Sequence, residues 1–335
     1  MRNFDGSRSV ALFFPLILCG CTSVRTLVGL RVRLDKIPLE RLEISLPKGG
    51  SLAPGESLPL VVKITAKDGR TFFTEGEGKG KVLWTDLQVT GQIVTVGPDG
   101  IVALPRDPRQ SAGRMPSVTV MVQGQSDVHS DLQIPMKYDF QFASQFLGQN
   151  GERGEGGVHG YRGADGRNGL SVGGTYVTPG EDGYRGGNGG KGRKGKNGCN
   201  GPDVVVQLTV HPGSSLLLQA SITDGVRTDF FLINPKGGSL QLKVGGGLAG
   251  PGGKGGAGGR GGLGGSGNPY GSQGADGESG EDGLDGEPGL AGSITVVFDP
   301  RAKPYLGLLK LSNVDGKGKL GSSPVFREES VSPLW

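Results

Sequence analysis

The strongest constraint on this chain is a three-residue period of glycine. Gly148, Gly151, Gly154, Gly157, Gly160, Gly163, Gly166 and Gly169 are evenly spaced, and the spacing lapses over Leu170–Pro179. It resumes from Gly180 to Gly201, again from Gly247 to Gly265, and last from Gly271 to Gly292. These runs 1 to 4 hold eight, eight, seven and eight glycines in phase. A flexible linker has no reason to keep either phase or length. A period of three is the repeat of the polyproline II helix, so every third residue lies on one face. Glycine on that face lets another backbone come close. Run 3 carries a second register at Gly252, Gly255, Gly258, Gly261 and Gly264. Such a helix can be approached from two directions, so run 3 is expected inside and the other three runs outside.

Two architectures use the period. "GERGEGG" and "GEDGLDGEPG" superficially resemble collagen. Collagen-like chains are rich in proline, whereas these runs contain only Pro251 and Pro288. The alternative is an intramolecular bundle, similar to the glycine-rich bundles of snow flea antifreeze proteins and some phage tail-fibre tip adhesins. Equal run lengths suit a bundle, whose interruptions become turns. Charge suits it too. Run 4 carries Asp276, Glu278, Glu281, Asp282, Asp285 and Glu287 with no base, and run 2 carries Arg185, Lys191, Arg193, Lys194 and Lys196 against Glu181 and Asp182. A monomeric bundle, a trimeric collagen-like stalk and a disordered tract are the three readings, and the bundle fits best.

The runs leave from and return to β-like sequence. Asp203–Gly246 reads as strands at Val204–Val210, Ser215–Ile222, Thr228–Asn234 and Ser239–Val244, divided by "HPGSS", "TDG" and "PKGG". "SITVVFD" follows run 4, and Leu306–Ser312 offers a further strand. This predicts a small antiparallel sheet carrying two hairpins of glycine runs. Nearer the N-terminus, strand candidates are Leu42–Pro47, Leu58–Gly69, Lys81–Gly91, Ser117–Gly124 and Leu132–Phe142. In "LVVKITA", Val62, Ile64 and Ala66 share the face expected to be buried.

That N-terminal stretch resembles bacterial immunoglobulin-like domains of the second group. The resemblance rests on Leu52–Val62, Trp84 and Val94–Pro105 over roughly 100 residues. It weakens at Gly91–Gly97 and at the long Arg106–Met115 loop. It implies a β-sandwich spacer or adhesive module with Trp84 in its core. The fold class expected is therefore mainly β: an immunoglobulin-like sandwich, then a small antiparallel sheet bearing four glycine-rich polyproline II helices. The expected divisions are a signal peptide at 1–20, an anchor linker at 21–41, the sandwich at 42–146, the glycine-rich region at 147–313 and a tail at 314–335.

The apolar stretch Val10–Gly20 is short for a membrane span and suits a signal-peptide core. It ends in "LCGC", Leu18–Cys21, which resembles the lipobox of bacterial lipoproteins. The resemblance implies cleavage after Gly20 and a lipid on Cys21. By the sorting rule known for enterobacteria, Thr22 in place of an aspartate implies outer-membrane delivery in a host that has an outer membrane, facing periplasm or cell surface. With Cys19 removed and Cys21 modified, Cys199 is the one free thiol, so no disulfide framework is expected.

Catalytic signals are missing. His129, His159 and His211 fall in unrelated segments, and HExxH, GxSxG and CxxC are absent. GxGxxG matches follow automatically from the triplets and open no helix. The net charge of +4 does not argue for nucleic acid. Asp276, Asp282 and Asp285 invite a calcium reading, but they do not fit the nonapeptide calcium repeat. No enzyme activity, cofactor or metal is therefore expected. The turns between runs are the natural contact points, through Thr175, Tyr176, Asn268 and Tyr270. Lys191–Lys196, "KGRKGK", could touch an anionic polysaccharide, although a solvated face is the simpler reading. The expected partners are a membrane, through the lipid, and a surface polysaccharide or protein ligand.

Overall fold

A computed structural model describes residues 31–214 and 217–335. Cys21 lies outside the described residues. The chain is mainly β, with 33% strand and 7% helix, in several small sheets, and among the described residues there is no closed barrel. Its described residues divide into two compact units, 31–106 with 110–137, and 107–109 with 138–335.

The first unit contains β1 (Leu39–Ser45), β2 (Ser57–Pro59), β3 (Val61–Ala66), β4 (Thr71–Phe73), β5 (Leu87–Gln92), β6 (Thr95–Val96), β7 (Ile101–Ala103), β8 (Ser117–Val122) and β9 (Gln125–Gln133). They form three antiparallel sheets, ordered β1-β3-β4, β2-β7-β6 and β5-β8-β9. Val62, Ile64 and Ala66 are fully buried, as their alternation predicts. Trp84 lies in the core but on a 3₁₀ turn, Trp84–Asp86, rather than in a strand. Gly100 has φ +77°, and a Cβ there would fall 2.1 Å from the indole ring. Glycine at that position is what allows the ring to be covered.

The second unit begins earlier than the sequence suggests. The stretch read as one strand, Leu132–Phe142, is two: β9 ends at Gln133, and β10 spans Gln141–Leu147 in the second unit. Pro135, which lacks an N–H, lies between them. Next come a small hairpin, β11 (Ser171–Val172) and β12 (Thr175–Tyr176), then β13 (Val204–Val210), β14 (Leu218–Thr223), β15 (Thr228–Ile233), β16 (Ser239–Gly245), β17 (Ile294–Phe298), β18 (Leu309–Val314) and β19 (Val325–Glu328).

These strands do not make one antiparallel sheet. One sheet, β15-β14-β13-β17-β19, is antiparallel across its first three strands and parallel beyond. The other, β10-β16-β18, is wholly parallel. The runs dictate this. β10 and β16 feed outgoing runs 1 and 3, so they point the same way. Returning runs 2 and 4 feed β13 and β17, which therefore also share a direction. Phe142 of β10 meets Phe231 of β15 at 5.8 Å between ring centres, which joins the two sheets around one core. Val331 is buried and its carbonyl accepts from Thr209, so the tail residues 331–335 pack on the β13–β15 sheet.

The four glycine runs contain neither helix nor strand by hydrogen-bond pattern, yet they bond to one another throughout. Run 1 glycine amides donate to run 3 carbonyls, as Gly151 to Leu248 at 2.8 Å. Run 2 glycine amides donate to run 4, as Gly189 to Glu278 at 2.8 Å. A second set of run 2 amides donates to run 1, as Arg193 to Glu155, and the carbonyls of the same residues accept from run 3, as Arg193 from Gly253. Run 4 glycines donate to run 3, as Gly283 to Gly253 at 2.7 Å. The backbone polar groups of an extended chain thus find partners in its neighbours.

This corrects the expectation of a single inner run. Run 3 touches all the others, but so does run 2, and no bond joins run 1 to run 4 among the described residues. The cross-section is a rhombus with runs 2 and 3 on its short diagonal. The doubled glycine register still has a packing role. A Cβ at Gly252, Gly255, Gly258, Gly261 or Gly264 would stand 1.9–2.0 Å from a run 4 carbonyl oxygen.

Candidate functional site

The runs end at two turns that lie together. Leu170–Pro179 folds into the β11–β12 hairpin, with Ser171 opposite Tyr176 and Val172 opposite Thr175. Gly173 and Gly174 have φ of +58° and +84°. Positive φ at both central residues is the requirement of the type I′ two-residue hairpin turn. The Asn268 amide donates to the Thr178 carbonyl at 3.1 Å, and Gly180 donates to Pro269 at 3.0 Å. The loop around Asn268 and Tyr270 is thereby tied to the hairpin.

Of the four residues expected at the tips, Thr175, Asn268 and Tyr270 are exposed and Tyr176 is half-buried. The tips also leave Leu170, Val172 and Val177 in water, at 70%, 69% and 58% exposure. The sequence reading did not single these out. The available signal was the alternation "LSV…TYV" around Gly-Gly, a hairpin pattern with no core to face.

Other sequence candidates resolve differently. Asp276, Asp282 and Asp285 do not converge on a metal position. Their Oδ1 atoms accept from the Gly261, Gly255 and Gly252 amides at 2.8–2.9 Å, so each caps an amide of run 3. Among the described residues no cluster suits a metal ion. The same device recurs elsewhere. Asn150, His159, Asp165 and Asn168 of run 1 accept from Leu248, Ala257, Leu263 and Ser266 of run 3. Asp182, Asn188, Asn197 and Asn200 of run 2 accept from run 4. In that register the rung opposite Arg153, which has no acceptor, falls on Pro251, which has no N–H to satisfy.

The bases of "KGRKGK" are largely taken up by carboxylates of the neighbouring runs. Lys191 meets Glu281 at 2.9 Å, Arg193 meets Glu155 at 2.8 Å and Lys196 meets Glu152 at 2.5 Å. Arg185–Glu278 and Lys254–Asp282 extend the set. His159 and His211 each use Nδ1 to accept a backbone amide, from Ala257 and Gly213 respectively. Cys199 is free and exposed, and its amide and carbonyl bond to runs 1 and 3. A cleft lined by Pro235, Lys236, Pro304, Tyr305, Gly307 and Leu308 contains no nucleophile with a paired base.

No protein-family model, curated protein or solved structure matches this chain. The candidate site therefore rests on its own geometry.

The ion pairs set a pH dependence. Hydrogen bonds from Lys196, Lys191 and Lys254 hold the carboxyls of Glu152, Glu281 and Asp282 below their ordinary values. A carboxylate depressed on folding stabilises the fold above its unfolded pKa and ceases to do so as pH falls through the folded value. Glu281 and Glu152 hold the ammonium groups of Lys191 and Lys196 above theirs. Their contribution is complete below the unfolded lysine value and is lost as pH rises past the raised one. The melting temperature should therefore hold through neutrality and fall below about pH 4 and above about pH 10.5. Salt should flatten the profile, since all these groups are exposed. A profile that is flat from about pH 3 to about pH 11, scanned by circular dichroism, would mean that the pairs do not contribute.

Proposed function

We propose that this chain is a lipid-anchored bacterial surface protein of structural or adhesive type, not an enzyme. In this reading Cys21 carries the lipid, outer-membrane delivery follows, and nucleic acid is not a partner. The first unit is an immunoglobulin-like β-sandwich. The four runs are polyproline II helices bundled within one chain, so the protein is a monomer. The bonding of every run to runs of the same chain favours this over a collagen-like trimer, whose chains would satisfy one another.

The observation that carries the functional reading is the pair of joined turns. They present Leu170, Val172, Val177 and Tyr270 to water at the end of a hydrogen-bonded scaffold. Loops on a rigid support are where binding residues concentrate. A surface polysaccharide or a protein is the ligand this reading expects there.

The test combines anchor and display. Palmitate fed to cells should label the full-length chain and leave Cys21→Ser unlabelled. An antibody against residues 170–179 should stain intact cells that express the wild type and lose its target from the membrane fraction in the variant. Equal labelling of both forms would remove the lipoprotein reading. Staining only after permeabilisation would remove surface display.

A further inference from the structure

We propose that the flank formed by runs 1 and 2 binds a neutral, straight polysaccharide by stacking sugar rings on Tyr161 and Tyr184. The two runs are antiparallel, with Gly187 donating to Tyr161 at 2.8 Å and Tyr184 donating to Ala164 at 2.9 Å. On the three middle rungs of this seam a large side chain confronts a small one: Val158 faces Gly190, Tyr161 faces Gly187, and Tyr184 faces Ala164. A Cβ on Gly187 would lie 2.6, 2.7 and 3.0 Å from Cε1, Cδ1 and Cζ of Tyr161. The ring therefore rests on bare backbone. Even so, Tyr161 is 77% exposed, Tyr184 64% and Val158 80%. Nothing in the packing of the runs requires two tyrosines there.

The surroundings select the ligand. On the rungs towards the sheets, Glu155 closes on Arg193 and Glu152 on Lys196. Towards the tips, Arg167 and Glu181 share a rung. Charge on either side is balanced, which favours a neutral ligand over an anionic one. Width decides between a polymer and a protein. Two tyrosines and a valine expose roughly 400 Å², against about 800 Å² that each partner of a stable protein complex buries. The strip is one side chain wide and straight. The tyrosines are one rung apart, roughly 9 Å at the rise of an extended three-residue helix. Sugar rings present C–H faces suited to an aromatic platform and a rim of hydroxyls suited to the flanking carboxylates and cations. A straight β-1,4-linked chain laid along the seam meets both. This site is separate from the tips and does not depend on the lipid.

The test uses the full-length chain in detergent, in native gels containing hydroxyethylcellulose and in sedimentation with chitin. The wild type should be retarded or co-sediment with at least one of them, and about 0.5 M salt should not release it. Tyr161→Ala with Tyr184→Ala should weaken retention by at least about tenfold. Tyr161→Phe with Tyr184→Phe should retain it. A second measurement needs no variant. Nitration of Tyr161 and Tyr184, read by mass spectrometry, should slow in the presence of hydroxyethylcellulose, while that of Tyr270 should not. Absence of retention on both polymers would overturn the proposal. So would equal retention of the alanine variant, retention on heparin alone that salt abolishes, or protection of Tyr270 in place of the two flank tyrosines. The last outcome would leave the tip reading standing.

Discussion

Valine at Gly258 should lower the melting temperature of the second unit by roughly 2–12 °C, from a cost of about 1–3 kcal/mol. The new Cβ would arrive 2.0 Å from the Gly277 oxygen and 2.4 Å from its carbonyl carbon. Neither is the end of a flexible side chain, so run 3 or run 4 must move. The bond from Gly277 to Gly259 beside it would stretch or break. Ala249 occupies the same register one rung from the sheets, so the contact can yield to a single methyl there. A branched side chain in mid-run has less room to be absorbed. Glu278→Val is the control. The Glu278 side chain is exposed and pairs with Arg185, so its loss should cost under about 1 kcal/mol. If Gly258→Val melts with the wild type, the second glycine register has no packing role.

Leu242→Ala should cost more, about 2–5 kcal/mol, for a buried leucine truncated in a packed core. Leu242 is wholly buried in β16, between Ser144 of β10 and Leu311 of β18. The informative part is what melts with it. The β10–β16 ladder ends at Leu147 opposite Gly245, and Gly148 donates to Gly245 as the next rung. Gly151 to Leu248 and Gly154 to Pro251 then follow without a slip. Sheet and runs should therefore unfold as one. Circular dichroism at the β minimum and at the band expected of the proposed polyproline II runs should shift together, by roughly 4–20 °C. A run signal that survives after the sheet signal has gone would show two independent structures.

The glycine period made much of the second unit legible, because steric need leaves a mark in sequence. At nearly every rung where a Cβ would meet a neighbouring backbone the residue is glycine, Ala249 being the exception, and the doubled register of run 3 announced a second neighbour. The alternation in β3 and β8 was equally plain, since one face of each is buried. The centrality of run 2 was not visible. Its added contacts run through amides and carbonyls of Glu181, Tyr184, Arg193 and Lys196, and a backbone bond asks nothing of the side chain. The aspartates of run 4 misled for a related reason. Asp276, Asp282 and Asp285 sit at a spacing that suggests ligands, whereas asparagine and histidine do the same job in runs 1 and 2. Seeing the shared role required knowing which residue lay opposite. Parallel pairing was hidden too, because it follows from where the excursions return. Nothing in the strands themselves records that.

One consequence of the rhombus concerns height. Every run is held in register by at least two others, and the hairpins at the far end are tied to each other. A triplet inserted into run 1 alone would shift all rungs beyond it against both runs 2 and 3. A taller scaffold of the same kind needs one added triplet in each of the four runs, placed at matching levels. The distance from sheets to turns is thus an integer quantity. Chains built on this plan can differ in reach by whole storeys, each twelve residues and roughly 9 Å, and intermediate heights are closed to them.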